Sequence, residues 1–165
     1  MDILTTGDWS DRIDSILELL LRTDDSLREG LVGCSMGDVS NIETKFDLRL
    51  PAAFTAFLCR VGRSRGQLMP GADFSFPELL YYREVAESLM SDLDDFNLDQ
   101  RDFVYWMEQG YQFFFFRTGG SDDPAVFFYD NDEPGFSKVY DTFTDWLNVC
   151  IQEEIDLRAG RVPIS

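Results

Sequence analysis

The stretch Phe103-Val-Tyr-Trp-Met-Glu-Gln-Gly-Tyr-Gln-Phe-Phe-Phe-Phe-Arg-Thr-Gly-Gly-Ser-Asp-Asp-Pro-Ala-Val-Phe-Phe-Tyr-Asp130 decides the fold. Phe103 to Met107, Tyr111 to Arg117 and Val126 to Tyr129 are β-branched or aromatic runs, separated by the turn residues of Glu108-Gln-Gly110 and Thr118 to Pro124. That alternation predicts a three-stranded antiparallel meander. Phe113 to Phe116 load both faces of the middle strand, which predicts a strand inside a sheet that is covered on both sides.

Working outward, helical spacing dominates the flanks. Before the meander, Trp9, Ile13, Ile16, Leu17 and Leu20 mark one apolar face of an N-terminal helix over residues 9–22, with Asp8 as its cap. Thr23 to Gly37 reads as a long loop holding at most a short helical turn. Ser40-Asn-Ile-Glu43 fits a capping box for a short helix through Phe46. Leu50-Pro51 starts another, with Phe54, Phe57, Leu58 and Val61 as its buried face and Gly62 as its stop. Arg60, Arg63 and Arg65 form the densest basic patch, too small for nucleic acid and read as local salt bridging.

Phe74 and Phe76 alternate as in a short strand ending at Pro77. Tyr82 to Leu93 follows as a helix buried through Val85, Leu89, Met90 and Leu93, with Asp92, Asp94 and Asp95 at its C-terminal end. After the meander, Asp130 to Gly135 is a turn and Ser137 to Tyr140 a short strand. Thr142 caps a last helix with Asp145 three residues on. Its apolar face is Phe143, Trp146, Leu147, Cys150, Ile151 and Ile155, and Gly160 ends it. The tail, residues 160–165, is expected to be loose. This order predicts an α+β class: a twisted, mostly antiparallel sheet with a central aromatic meander, flanked by helices. No internal repeat or linker divides the 165 residues, which read as one domain.

Composition narrows function. With 44% hydrophobic and 15% aromatic residues the chain is globular. Its apolar runs fall short of the ~20 residues of a membrane span, and the start lacks the basic region of a signal peptide, so the expected location is the cytoplasm. Cys34, Cys59 and Cys150 are an odd number at wide spacing, which suits a reducing compartment. The formal net charge is -17, from 14 basic and 31 acidic residues. Nucleic acid and anionic membrane are therefore poor partners for the surface as a whole, and a basic protein is the expected one; acidity that only maintains solubility is the alternative reading of the same composition.

The chain has no histidine. Ser-His-Asp and Cys-His catalysis and His-ligated zinc are thereby excluded. Gly62-Arg-Ser64-Arg-Gly66 matches a nucleophile elbow in letters alone, since it follows a helix rather than a strand. Asp130, Asp132, Gly135 and Asp141 echo a calcium loop, but Pro134 and Lys138 stand where oxygen ligands belong, so a turn between strands is expected. No phosphate-binding glycine fingerprint or C-x-x-C unit is present. The expectation is no cofactor and no metal. An acid hydrolase stays open as a weaker alternative, and it requires two carboxyl groups facing each other in a deep pocket.

Leu50-Pro51-Ala-Ala-Phe54-Thr-Ala-Phe57-Leu58 resembles the Leu-Pro helix of the SUKH superfamily of Smi/Knr-type proteins. Ile42-Glu43 and Phe46 fit the short helix before it. Gln109 to Phe116 and Asp122 to Tyr129 resemble the family's central strands, and Asp141-Thr-Phe143-Thr-Asp-Trp146-Leu147 its closing helix. The likeness covers about residues 40–157, although Val61-Gly-Arg-Ser-Arg-Gly66 stands where many members carry Asn-Gly. The resemblance implies the same α+β fold, no catalysis, and an immunity-type protein that binds a cognate toxin, often a nuclease; a regulatory interaction module of the same fold is the alternative. Candidate contacts are the acids of the turns, Asp122, Asp123, Asp130, Asp132 and Glu133, with Asp92, Asp94 and Asp95 as a second cluster. Each is equally readable as a solvated turn residue.

Overall fold

The computed structural model describes residues 6–70, 72–93 and 97–161. Its main sheet holds five antiparallel strands in sequence order: β3 (Ala72–Asp73), β4 (Asp102–Glu108), β5 (Gln112–Arg117), β6 (Val126–Asp130) and β7 (Phe136–Tyr140). The predicted meander is β4-β5-β6, and β5 is the middle strand of the five. A tight turn joins β4 to β5: Gln109 and Gly110 both take positive φ, 49° and 78°, and the Tyr111 N–H donates to the Glu108 carbonyl at 3.2 Å.

The alternation along β5 separates two aromatic layers. Phe116 and Phe114 face the helices, and Phe113 and Phe115 the other side. On that other side Phe113 stacks on Tyr129 at 4.8 Å, while Phe115 meets Phe127 at 5.4 Å and Phe136 at 5.0 Å. Phe113, Phe115 and Phe116 are buried and Phe114 is half-buried, so the strand is covered on both faces, as its sequence predicts.

Helices α1 (Thr6–Leu21), α3 (Ala52–Val61) and α5 (Phe143–Arg158) pack together on the first face. Phe54 of α3 lies at its centre, with the rings of Phe57, Phe103, Tyr105, Phe116 and Phe143 between 5.1 and 6.2 Å away. Gly62 caps α3 at its C-terminus. In α1, Asp8 lies inside the first turn rather than at the cap, because the helix begins at Thr6; an acid there still favours the positive helix end.

Several local expectations are corrected. Helix α2 (Met36–Phe46) starts earlier than the Ser40 cap predicts. Ser35 is its N-cap, in a reciprocal box with Asp38, whereas Glu43 accepts from the Leu50 N–H at 2.8 Å. The loop from Thr23 contains a 3-10 turn, Asp25–Arg28, and a short strand, β1 (Leu31–Val32), paired antiparallel with β2 (Ser64–Arg65). Ser64 thus lies in a strand edge, not at an elbow. Phe74 follows β3 instead of forming it, and stacks on Trp106 at 5.2 Å. Helix α4 (Tyr82–Leu89) stops four residues short of Leu93 and buries Tyr82, Ala86 and Met90, leaving Val85 40% exposed. Helical spacing admits both stripes, and packing against β4 selects between them.

The basic patch resolves into local contacts. Arg60 pairs with Asp14 at 2.5 Å, Arg65 donates to the Met69 carbonyl, and Arg63 forms a fork with Asp38 at 2.7 Å per contact. The Asp38 side chain is only 7% exposed. The Arg63 guanidinium and the Ser35 N–H hold its carboxyl down at about 2, against an ordinary value of 3.8. A folded value below the unfolded one means the stabilisation is complete above about pH 4 and lost as pH falls toward 2. Asp38→Asn is expected to flatten the dependence of Tm on pH across that window. Phe54→Ala, which empties the centre of the ring cluster, is expected to cost about 3–5 kcal/mol in urea unfolding.

Candidate functional site: the acidic turns

The turn following β5 ties two helices to the sheet. The Ala53 N–H, in the first turn of α3, donates to the Asp122 carbonyl at 3.0 Å. The Asp123 carboxylate accepts from the Thr144 N–H at 2.9 Å and from the Thr144 hydroxyl at 2.5 Å, in the first turn of α5. Thr142 caps the same helix by accepting from the Asp145 N–H at 3.0 Å, as its sequence predicts. Helix ends leave N–H groups without intrahelical partners, and an anion there also meets the positive end of the dipole. Asp123 is therefore half-buried and engaged in capping, while the Asp122 side chain projects outward.

Asp130 is engaged as well. One carboxylate oxygen accepts from the Asp132 N–H at 2.9 Å, closing a turn, and the other from Gln112 Nε2 at 2.7 Å across the strand pair. Asp132 and Glu133 are exposed at the tip, and among the described residues no ion pair or hydrogen bond engages their carboxylates. The segment that echoes a calcium loop is the hairpin between β6 and β7, with Tyr129 paired to Phe136, and Asp141 is bound by Lys138 at 2.6 Å. Asp92 is exposed beyond α4, and Asp94 and Asp95 lie outside the described residues, as do 162–165 of the expected loose tail.

Antiparallel order places the candidates on two ends of the sheet. The Ser121-Asp-Asp123 turn joins β5 to β6 at one end, and the Asp130 to Gly135 turn joins β6 to β7 at the other. The second end also receives the β4-β5 turn, held by the Asn131 N–H donating to the Tyr111 carbonyl at 3.1 Å. It thereby gathers two acids that sequence reasoning passed over: Glu108 at the end of β4, and Asp73, which pairs with Met107. Among the described residues neither carboxylate has a basic partner. The signal for Glu108 was present in the meander itself, because alternate turns of a meander share an end. Asp73, Glu108, Asp132 and Glu133 thus lie at one end of the sheet, and among the described residues no ion pair engages any of the four.

The described residues hold no group of three or more His, Cys, Asp or Glu side chains suited to a metal ion, and no helix long and apolar enough to cross a membrane. Cys34, Cys59 and Cys150 are free thiols. Against known families, the model of the SMI1 / KNR4 family (SUKH-1) matches residues 33–149, from the end of β1 to the middle of α5. The chain belongs to the SMI1 / KNR4 family (SUKH-1). A search of curated proteins finds no match. The SUKH-1 match contains both acidic turns and leaves α1 outside.

The two turns differ in what they support. Asp123→Ala is expected to destabilise the protein by about 0.5–2 kcal/mol through loss of the cap. Asp132→Asn with Glu133→Gln is expected to stay within about 0.5 kcal/mol of the parent. Chemical unfolding of the three proteins side by side checks the contrast.

Proposed function

We propose that this SUKH-1 protein is a non-catalytic binding protein of the immunity type, which neutralises a cognate toxin by covering a basic surface. The observation that carries the reading is the acidic end of the sheet, where Asp73, Glu108, Asp132 and Glu133 have no ion-pair partner among the described residues, in a chain of net charge -17. A nuclease is the fitting class of toxin: it grips phosphates with cations, and an acidic protein competes for the same cations. Asp122 and Asp92 are secondary contacts in this reading, and Asp123 and Asp130 shape the turns. The three thiols and the absence of histidine accord with a cytoplasmic, non-enzymatic role.

Co-purification from the native cells, followed by identification of the bound protein, supplies the partner for measurement. Association is expected to slow as salt rises, and Asp132→Lys with Glu133→Lys to reduce its rate by on the order of tenfold. Asp122→Lys, at the opposite end of the sheet, is expected to change it far less. Salt-independent association, or full protection by the double variant, would sink the reading.

A further inference from the structure

Two β-bulges, on two different strands, build an aromatic groove beside the acidic end. In β4 the pairing jumps from Val104↔Phe115 to Trp106↔Phe114, so Tyr105 is the extra residue and both Tyr105 and Trp106 face the helices. In β7 the pairing jumps from Phe127↔Lys138 to Val126↔Tyr140, so Val139 is the extra residue. Strict alternation would have sent Trp106 and Tyr140 to the opposite face. Bulges re-aim side chains in this way, and both of these aim into one space.

That space is a groove of about 460 Å³ between the sheet and the C-terminal half of α5. Trp106, Phe114, Tyr140 and Trp146 form its floor; Trp146 stands edge-on to Trp106 at 5.0 Å and lies 6.0 Å from Phe114. The volume falls within the range of about 300–1,000 Å³ typical of ligand clefts. Three carboxylates, Glu108, Glu153 and Glu154, line the rim. Glu154 is engaged at both oxygens, by the Met69 N–H at 2.7 Å and by Arg158 at 2.9 Å. Glu108 and Glu153 have no basic partner among the described residues.

A further observation defines the chemistry of the floor. The Cys150 thiol is pushed up to about 12, first by burial and next by Glu153, with Glu108 and Glu154 adding. The negative potential of the rim therefore reaches the floor. An anion is disfavoured there, and a purely apolar group would leave Glu108 and Glu153 desolvated and unpaired. A planar cation satisfies both parts, since a guanidinium stacks on aromatic faces and pairs with carboxylates edge-on.

We infer that the groove over Trp106, Phe114 and Tyr140 receives an arginine side chain of a basic protein partner, with Glu108 and Glu153 binding its guanidinium. This rests on the reading of the chain as a binder of a basic protein. Glu108 belongs to both the groove and the acidic end of the sheet, so one partner surface reaches both.

Peptides test the groove without the partner. The ¹⁵N-labelled protein is titrated with acetyl-Gly-Gly-Arg-Gly-Gly-amide, and with peptides carrying norleucine or lysine in place of arginine, while the indole signals of Trp106 and Trp146 are followed by NMR. The arginine peptide is expected to shift both signals saturably and to bind about tenfold more tightly than the norleucine peptide. Glu108→Gln with Glu153→Gln should weaken arginine binding by about tenfold and Asp132→Asn should not, with spectral dispersion showing each variant folded. Equal binding of norleucine, tighter binding of lysine, an unchanged double variant, or no saturable shift into the millimolar range would each overturn the inference. Salt-dependent association with the full partner alongside a failed peptide titration would remove the groove and keep the acidic-surface reading.

Discussion

The ring of Phe54 holds the molecule in register. It meets α5 through Phe143, β4 through Phe103 and Tyr105, and β5 through Phe116. Tilted and edge-on contacts among rings carry directional preferences that aliphatic packing lacks. The angles at which α3 and α5 cross the sheet are therefore constrained by ring geometry as well as by burial. Gly33 and Gly62 extend the constraint behind α3. A Cβ on Gly33 would lie 1.8 Å from the Cys59 carbonyl oxygen, and one on Gly62 2.6 Å from the Leu58 carbonyl oxygen.

From that core the acids divide into two kinds. Asp123, Asp130, Asp38 and Asp102 face hydrogen-bond donors: Thr144, Gln112, Arg63 and Arg117 respectively. They join elements that are distant in sequence; Arg63 and Arg117 balance the charges of Asp38 and Asp102, and neutral donors satisfy the carboxylates of Asp123 and Asp130. Asp73, Glu108, Asp132 and Glu133 make no such contact among the described residues, and they lie where the strands of the sheet end. A large negative net charge thus separates into a structural part and a part directed outward, which is the part able to steer a basic partner.

The bulges link the sheet to recognition. Each breaks the alternation of an otherwise regular antiparallel strand, and each delivers an aromatic residue to the side where α5 stands over the sheet. A bulge leaves one residue out of the ladder. Here both interruptions serve the same groove, which ties an irregularity of the backbone to a specific surface.

Much of this was legible before folding. The three strands of the meander, the Leu-Pro entry into α3, its Gly62 stop, the Thr142 cap and the likeness to the SUKH superfamily all stand in the letters, because turn chemistry, capping and two-residue alternation act between near neighbours. The start of α2 was misread because Ser35-Met-Gly-Asp38 and Ser40-Asn-Ile-Glu43 offer comparable caps, and a contact across the chain, Asp38 with Arg63, accompanies the first. The buried stripe of α4, the capping role of Asp123, the meeting of Glu108 with Asp132 at one end of the sheet and the two bulges were decided by the tertiary structure alone. Each depends on which segments lie side by side in space, and periodicity along one segment carries no information about the register or side from which another approaches it.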